Sequence, residues 1–177
     1  MSFTHTTLYK VMKKNIIYIA FTAFLIVWAC DHGLAPPENT GPTKPTGISG
    51  TIFYKNWPPQ DSVKNLKVVV FKNYPPKDIL SEVINGNAKT FPEDLTESMP
   101  YGVDTTDYLI NLKPGTYAYT VVAHQYGDDI FNDWQAVGQY DLTPQDTLPT
   151  PITVITDSII GGINIYVDFD SLPSQPF

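Results

Sequence analysis

Leu112-Lys113-Pro114-Gly115-Thr116-Tyr117 is the stretch on which the reading of this fold turns. Proline presets φ and the following glycine supplies positive φ, which together suit a type II turn. Leu112 closes a run in which Tyr108, Ile110 and Leu112 alternate with Asp107 and Asn111, and Tyr117 opens the largely apolar run 117–126. A period of two on both sides of a tight turn predicts a β-hairpin.

The same period recurs outward in both directions. Upstream, Ile48, Gly50, Ile52 and Tyr54 alternate with Ser49, Thr51 and Lys55. Leu66, Val68 and Val70 alternate with Lys67, while Val69 and Phe71 make 66–71 apolar on both faces. Downstream, Trp134, Ala136, Gly138, Tyr140 and Leu142 alternate with Gln135, Gln139 and Asp141. Ile152 and Val154 form a short run, and Ile163, Ile165, Val167 and Phe169 alternate with Asn164, Tyr166, Asp168 and Asp170. These are seven strands, with an eighth at 80–84 if that run is also extended. Asn85-Gly86-Asn87 is a turn signal, and Gly161-Gly162 opens the last strand or marks a bulge. No stretch of ten residues after Cys30 has helical spacing. The fold class expected is all-β, an antiparallel β-sandwich of seven to eight strands.

Two segments carry a family resemblance. Leu112–Tyr117 resembles the L-x-P-G-x-Y hairpin of transthyretin-like (prealbumin-like) and carboxypeptidase regulatory-like domains. Gly47-Ile48-Ser49-Gly50-Thr51-Ile52 resembles their opening strand, and 66–71 is similar to their second. The resemblance spans about 47–170, with insertions at 56–64 and 75–100. It implies a non-catalytic module that supports, spaces or binds, and it brings no catalytic set with it.

The first 46 residues have a different character. Met12-Lys13-Lys14-Asn15 is basic, and the fourteen residues 16–29 carry no charge. As a helix they would extend roughly 21 Å, short of the about 30 Å of a bilayer core, so they fit a signal peptide's apolar region. The start of translation is Met1 or Met12. Val27-Trp28-Ala29-Cys30 resembles a bacterial lipobox, with Trp28 where the pattern takes smaller residues. Cys30 is the only cysteine, so an internal disulfide is excluded and lipidation at its thiol is the expectation. Residues 31–46 hold four prolines and two glycines and read as a flexible linker. The expected layout is a signal peptide over 1–29, a lipidated cysteine and linker over 30–46, a β domain over 47–172 and a tail over 173–177.

Charge narrows the partners. The eleven basic residues are all lysine, and three of them precede Cys30, whereas all eighteen carboxylates follow it. Such a chain repels phosphate backbones, so no nucleic acid is expected. Lacking arginine, it also lacks the side chain best suited to bidentate anion capture.

Candidate chemistry is sparse. Asp128, Asp129 and Asp133, with Asn132 among them, place hard oxygen ligands in one loop, but their spacing is not that of an EF-hand. They are a calcium site or a solvated acidic turn. His124 lies in a predicted strand, where packing is the ordinary role. The sequence contains no G-x-S-x-G and no H-E-x-x-H, and nothing in it requires a cofactor. Trp57, Tyr74, Tyr101 and Trp134 stand near strand ends, where aromatics either bind a glycan or protein partner or cover the ends of a core. The expectation is a non-enzymatic protein of the bacterial cell envelope. It would be attached to the outer membrane or the periplasmic face through lipid, with an envelope protein as partner. The alternative is a surface protein that binds carbohydrate through those aromatics.

Overall fold

A computed structural model of the chain describes residues 44–144 and 148–176. The signal-peptide run, Cys30 and most of the linker lie outside the described residues. Among the described residues the structure is all-β with almost no helix. Ten strands run in the order β1 (Gly47–Lys55), β2 (Asn65–Phe71), β3 (Ala88–Phe91), β4 (Thr105–Asn111), β5 (Gly115–Tyr117), β6 (Tyr119–Gln125), β7 (Trp134–Gln139), β8 (Ile152–Val154), β9 (Ile159–Ile160) and β10 (Ile165–Asp168).

The first sheet has the order β10-β1-β4, with β9 also paired to β1. The second has the order β3-β2-β6-β7, antiparallel throughout, and β5 pairs β8 in a separate ribbon. The expected all-antiparallel arrangement does not hold in the first sheet, where β9 and β10 both run parallel to β1. Alternation within a strand reports which face is buried and carries no information on the direction of its neighbour.

The two larger sheets share a core. Ile48, Ile52 and Tyr54 of β1, Tyr108 and Ile110 of β4 and Ile165 and Val167 of β10 pack with Leu66, Val68 and Val70 of β2, Val122 of β6 and Val137 of β7. Each fully buried aliphatic of this kind contributes about 1.5–3 kcal/mol. Gly47 and Gly50 are required by closeness: a Cβ at Gly47 would overlap the Ile110 carbonyl, and one at Gly50 the Ile163 carbonyl.

The second sheet is buried on its outer face as well. Val69 and Phe71 of β2 join Tyr119, Val121 and Ala123 of β6 and Ala136 of β7 in a second cluster, closed by Ile79 and Val83. This is why 66–71 and 117–126 read as apolar on both faces. The cover comes from the 75–100 insertion, which contains α1 (Ile79–Ile84). The extended run considered at 80–84 is therefore helical. The Asp78 side chain caps it by accepting from the Ser81 amide at 2.7 Å, and Gly86 follows its end at φ 73°, a left-handed C-terminal stop.

The Pro-Gly stretch is not a hairpin. β4 pairs β1 in the first sheet, and the chain then crosses to β5, which pairs β8. Gly115 has φ 148°, far from the roughly +80° of a type II turn. The Tyr117 hydroxyl donates back to the Lys113 carbonyl at 3.0 Å and closes the crossing. At the other end of the domain, the Gln175 side-chain amide bonds both ways to the Ala136 backbone, at 2.8 and 3.0 Å. The tail is thereby held on the edge of β7.

Candidate functional site

The four aromatic candidates separate into three places. Trp57 and Tyr101 come together as a plug at one end of the core. The Trp57 ring lies 4.7 Å from Tyr54, 5.0 Å from Tyr101 and 4.9 Å from Phe169. Its Nε1–H donates to the Val103 carbonyl at 2.9 Å, and the Tyr101 hydroxyl donates to the Pro58 carbonyl at 2.7 Å. His124 is buried nearby, 5.7 Å edge-on to Phe169. Its Nε2 faces the Ser62 carbonyl at 2.9 Å, so that nitrogen carries the proton, and Nδ1 accepts from the Gln135 amide at 3.1 Å. Burial pushes its pKa down, which keeps the ring neutral. These groups are consumed by internal partners.

Tyr74 sits elsewhere, edge-on to Tyr119 at 5.2 Å. It lines a hollow of about 590 Å³ together with Ala118, Leu142, Pro149 and Pro151.

Trp134 is different. It stands half-buried at the start of β7, on the outer face of the second sheet, with its indole N–H held by the Ile130 carbonyl at 2.8 Å. It lies between two hollows. One, of about 190 Å³, is lined by Ile79, Leu80, Leu95, Gln125 and Ile130 as well as Trp134. The other, of about 120 Å³, is lined by Lys77, Asp78, Ile79, Phe131 and Asn132 with Trp134 again. Ile130 and Phe131 are 52% and 55% exposed. Large apolar side chains held in solvent beside an apolar hollow are the usual mark of a binding surface.

The acidic loop builds this wall. The Asp129 carboxylate accepts from the amides of Phe131 and Asn132, at 2.9 and 3.2 Å, and from the Asn132 side chain at 2.8 Å. The Asn132 side chain and the Phe131 amide hold the Asp129 carboxyl below the usual carboxylate range. Asp133 accepts from the Asp129 amide at 2.9 Å, and Asp128 lies 3.4 Å from the Lys64 ammonium. The carboxylates thus shape the turn that turns Ile130 and Phe131 outward. Among the described residues no group of three or more His, Cys, Asp or Glu side chains converges as a metal site would.

Lys67 is a residue that sequence reasoning passed over. It is 1% exposed and lies at the base of the larger hollow. Its ammonium donates to the carbonyls of Pro92, Asp94 and Glu97 at 3.2, 2.7 and 2.7 Å, which fixes the loop bearing Leu95. Burial lowers its pKa, against the opposing pull of the Asp94 and Glu97 carboxylates. The available signal was its register: Lys67 shares a face with Val69 and Phe71 in a strand apolar on both sides, so a charge there had to find partners.

Comparison of the chain with family models, with curated proteins and with solved structures finds no match in any of the three.

Proposed function

We propose that this chain is a non-enzymatic, lipid-anchored protein of the bacterial envelope, whose two main sheets form a transthyretin-like β-sandwich acting as an accessory or interaction module. The anchor reading rests on Cys30, the only cysteine, at the end of an uncharged run that follows a basic start. The module reading is carried by one observation: Ile130 and Phe131 stand exposed beside the hollows that flank Trp134. An apolar wall held open by the backbone-binding carboxylate of Asp129 suits contact with another macromolecule.

The glycan reading draws on the same aromatics, but the geometry favours it less. A ring that stacks on sugar presents a face to solvent, and Trp57 is surrounded by Tyr54, Tyr101 and Phe169. The anchor is tested by Cys30→Ala. The variant is expected in the soluble fraction after lysis; if it stays with membranes at the mass of the parent protein, the anchor reading fails.

A further inference from the structure

The surface around Trp134 has a charge that specifies its partner. The two hollows are lined from 77–80, 95–96 and 130–134, with Asp78 the one carboxylate in the lining beside Lys67 and Lys77. The flanking positions Glu93, Asp94, Glu97, Asp128 and Asp129, together with Asp133, bring the carboxylates around this surface to seven. Four of those carboxylates have a nearby lysine: Glu93 with Lys89 at 3.5 Å, Asp128 with Lys64 at 3.4 Å, and Asp94 and Glu97 with the Lys67 ammonium. Lys67 lines the larger hollow, yet all three of its N–H bonds go to loop carbonyls. It offers no donor to an incoming anion. An anionic ligand therefore meets a rim of seven carboxylates against the four lysines Lys64, Lys67, Lys77 and Lys89, and in the larger hollow a mostly apolar lining, both unfavourable to it.

We propose that this face docks a cationic amphipathic segment of another protein, with one apolar side chain in each hollow, astride the Trp134 indole, and flanking lysines or arginines over the acidic rim. The proposal rests on the interaction-module reading and names its partner's chemistry. The volumes fit: an apolar cavity of about 150 Å³ accommodates benzene, so the hollow of about 190 Å³ takes an aromatic or large aliphatic side chain and the hollow of about 120 Å³ a smaller one. Trp134 between them is the residue type that dominates binding at interface centres.

The test uses the full chain labelled with 5-fluorotryptophan in non-ionic detergent, with resonances assigned through Trp→Phe variants. Three blocked pentapeptides are titrated: Lys-Leu-Lys-Phe-Lys, Glu-Leu-Glu-Phe-Glu and Lys-Ser-Lys-Ser-Lys. The first is expected to shift the Trp134 fluorine resonance saturably and to leave that of Trp57 in place. Ile130→Ser with Phe131→Ser, both exposed and so compatible with folding, is expected to weaken it about tenfold. Raising salt to about 0.5 M is expected to weaken it further, because rim charges are screened. Equal binding of the acidic peptide overturns the charge assignment, equal binding of the serine peptide overturns the role of the hollows, and a silent Trp134 overturns the proposal outright. Fractionation of Cys30→Ala is independent of this titration, so a silent titration beside a released Cys30→Ala protein removes the docking site and leaves the anchor standing.

Discussion

Replacing Lys67 by methionine keeps the buried stem and removes the ammonium from the carbonyls of Pro92, Asp94 and Glu97. Hydrogen bonds to a charged group contribute about 1.5–3 kcal/mol each, so three would total on the order of 6 kcal/mol. Against this stands the cost of burying an ammonium, several kcal/mol, which methionine escapes. The loop also lies at the surface, where its freed carbonyls can bind water. The net loss is about 2–3 kcal/mol, or a fall in Tm of roughly 8–12 °C at about 4 °C per kcal/mol for a domain of this size. Thermal unfolding followed by circular dichroism measures it. Amide exchange adds a local reading, because the Leu66 amide donates to the Ser98 hydroxyl at 3.0 Å and the Met99 amide to the Leu66 carbonyl at 2.9 Å. Both amides are expected to exchange faster in Lys67→Met, and the Leu95 wall of the larger hollow to loosen with them. A variant within about 0.5 kcal/mol of the parent protein, with both amides still protected, refutes the idea that the ammonium holds this loop.

Trp57→Ala removes three ring contacts and one hydrogen bond, and should cost about 3–4 kcal/mol by chemical denaturation; a neutral result would mean that the ring is not a plug. Alkaline pH should destabilise the domain. Burial raises the pKa of Tyr54 to about 12 and also raises those of Tyr108, Tyr117 and Tyr119. A folded pKa above the unfolded value of 10.0 gives stability that is complete below pH 10 and lost as pH rises toward 12 and beyond. Lys67, with its folded pKa depressed, acts in the opposite direction as pH climbs toward 10.5, but it is one group against four. Equilibrium unfolding at pH 9, 10 and 11 should therefore show falling stability above pH 10, and a flat profile would count against the burial of these hydroxyls. Asp129→Ala should speed amide exchange at Phe131 and Asn132 with little change at β6; unchanged exchange would show that the loop holds its shape without that carboxylate.

Much of the β character was legible because burial imposes a period of two. β4 shows it plainly: Tyr108 and Ile110 are buried while Asp107, Leu109 and Asn111 are exposed. Strand direction and pairing were not legible, because the same Pro-Gly signal serves a hairpin within a sheet and a crossing between sheets. Nothing local at 112–117 distinguishes them; the partner of Tyr117 is Ile152, thirty-five residues away. The helix at Ile79–Ile84 was written in Asp78 and Asn85-Gly86, but six residues are too few for a periodic signal. β3 and β9, four and two residues long, fell below the same threshold. Of the aromatic candidates, Trp134 lies at the best-defined hollows, whereas Trp57 serves the core. Composition cannot separate these roles, since both are tryptophans beside strand ends, and only the elements that surround each ring decide.

The most direct measurement is site-specific photo-crosslinking in intact cells, with benzoylphenylalanine at position 131 on the outer face of the second sheet and, separately, at position 166. Tyr166 is 70% exposed on the first sheet and stacked on Phe53 at 5.0 Å. If the Trp134 surface is where the anchored domain meets its partner, position 131 yields a discrete protein adduct that Ile130→Ser diminishes, and position 166 yields none. An adduct at 166 alone, or none at either position, contradicts it.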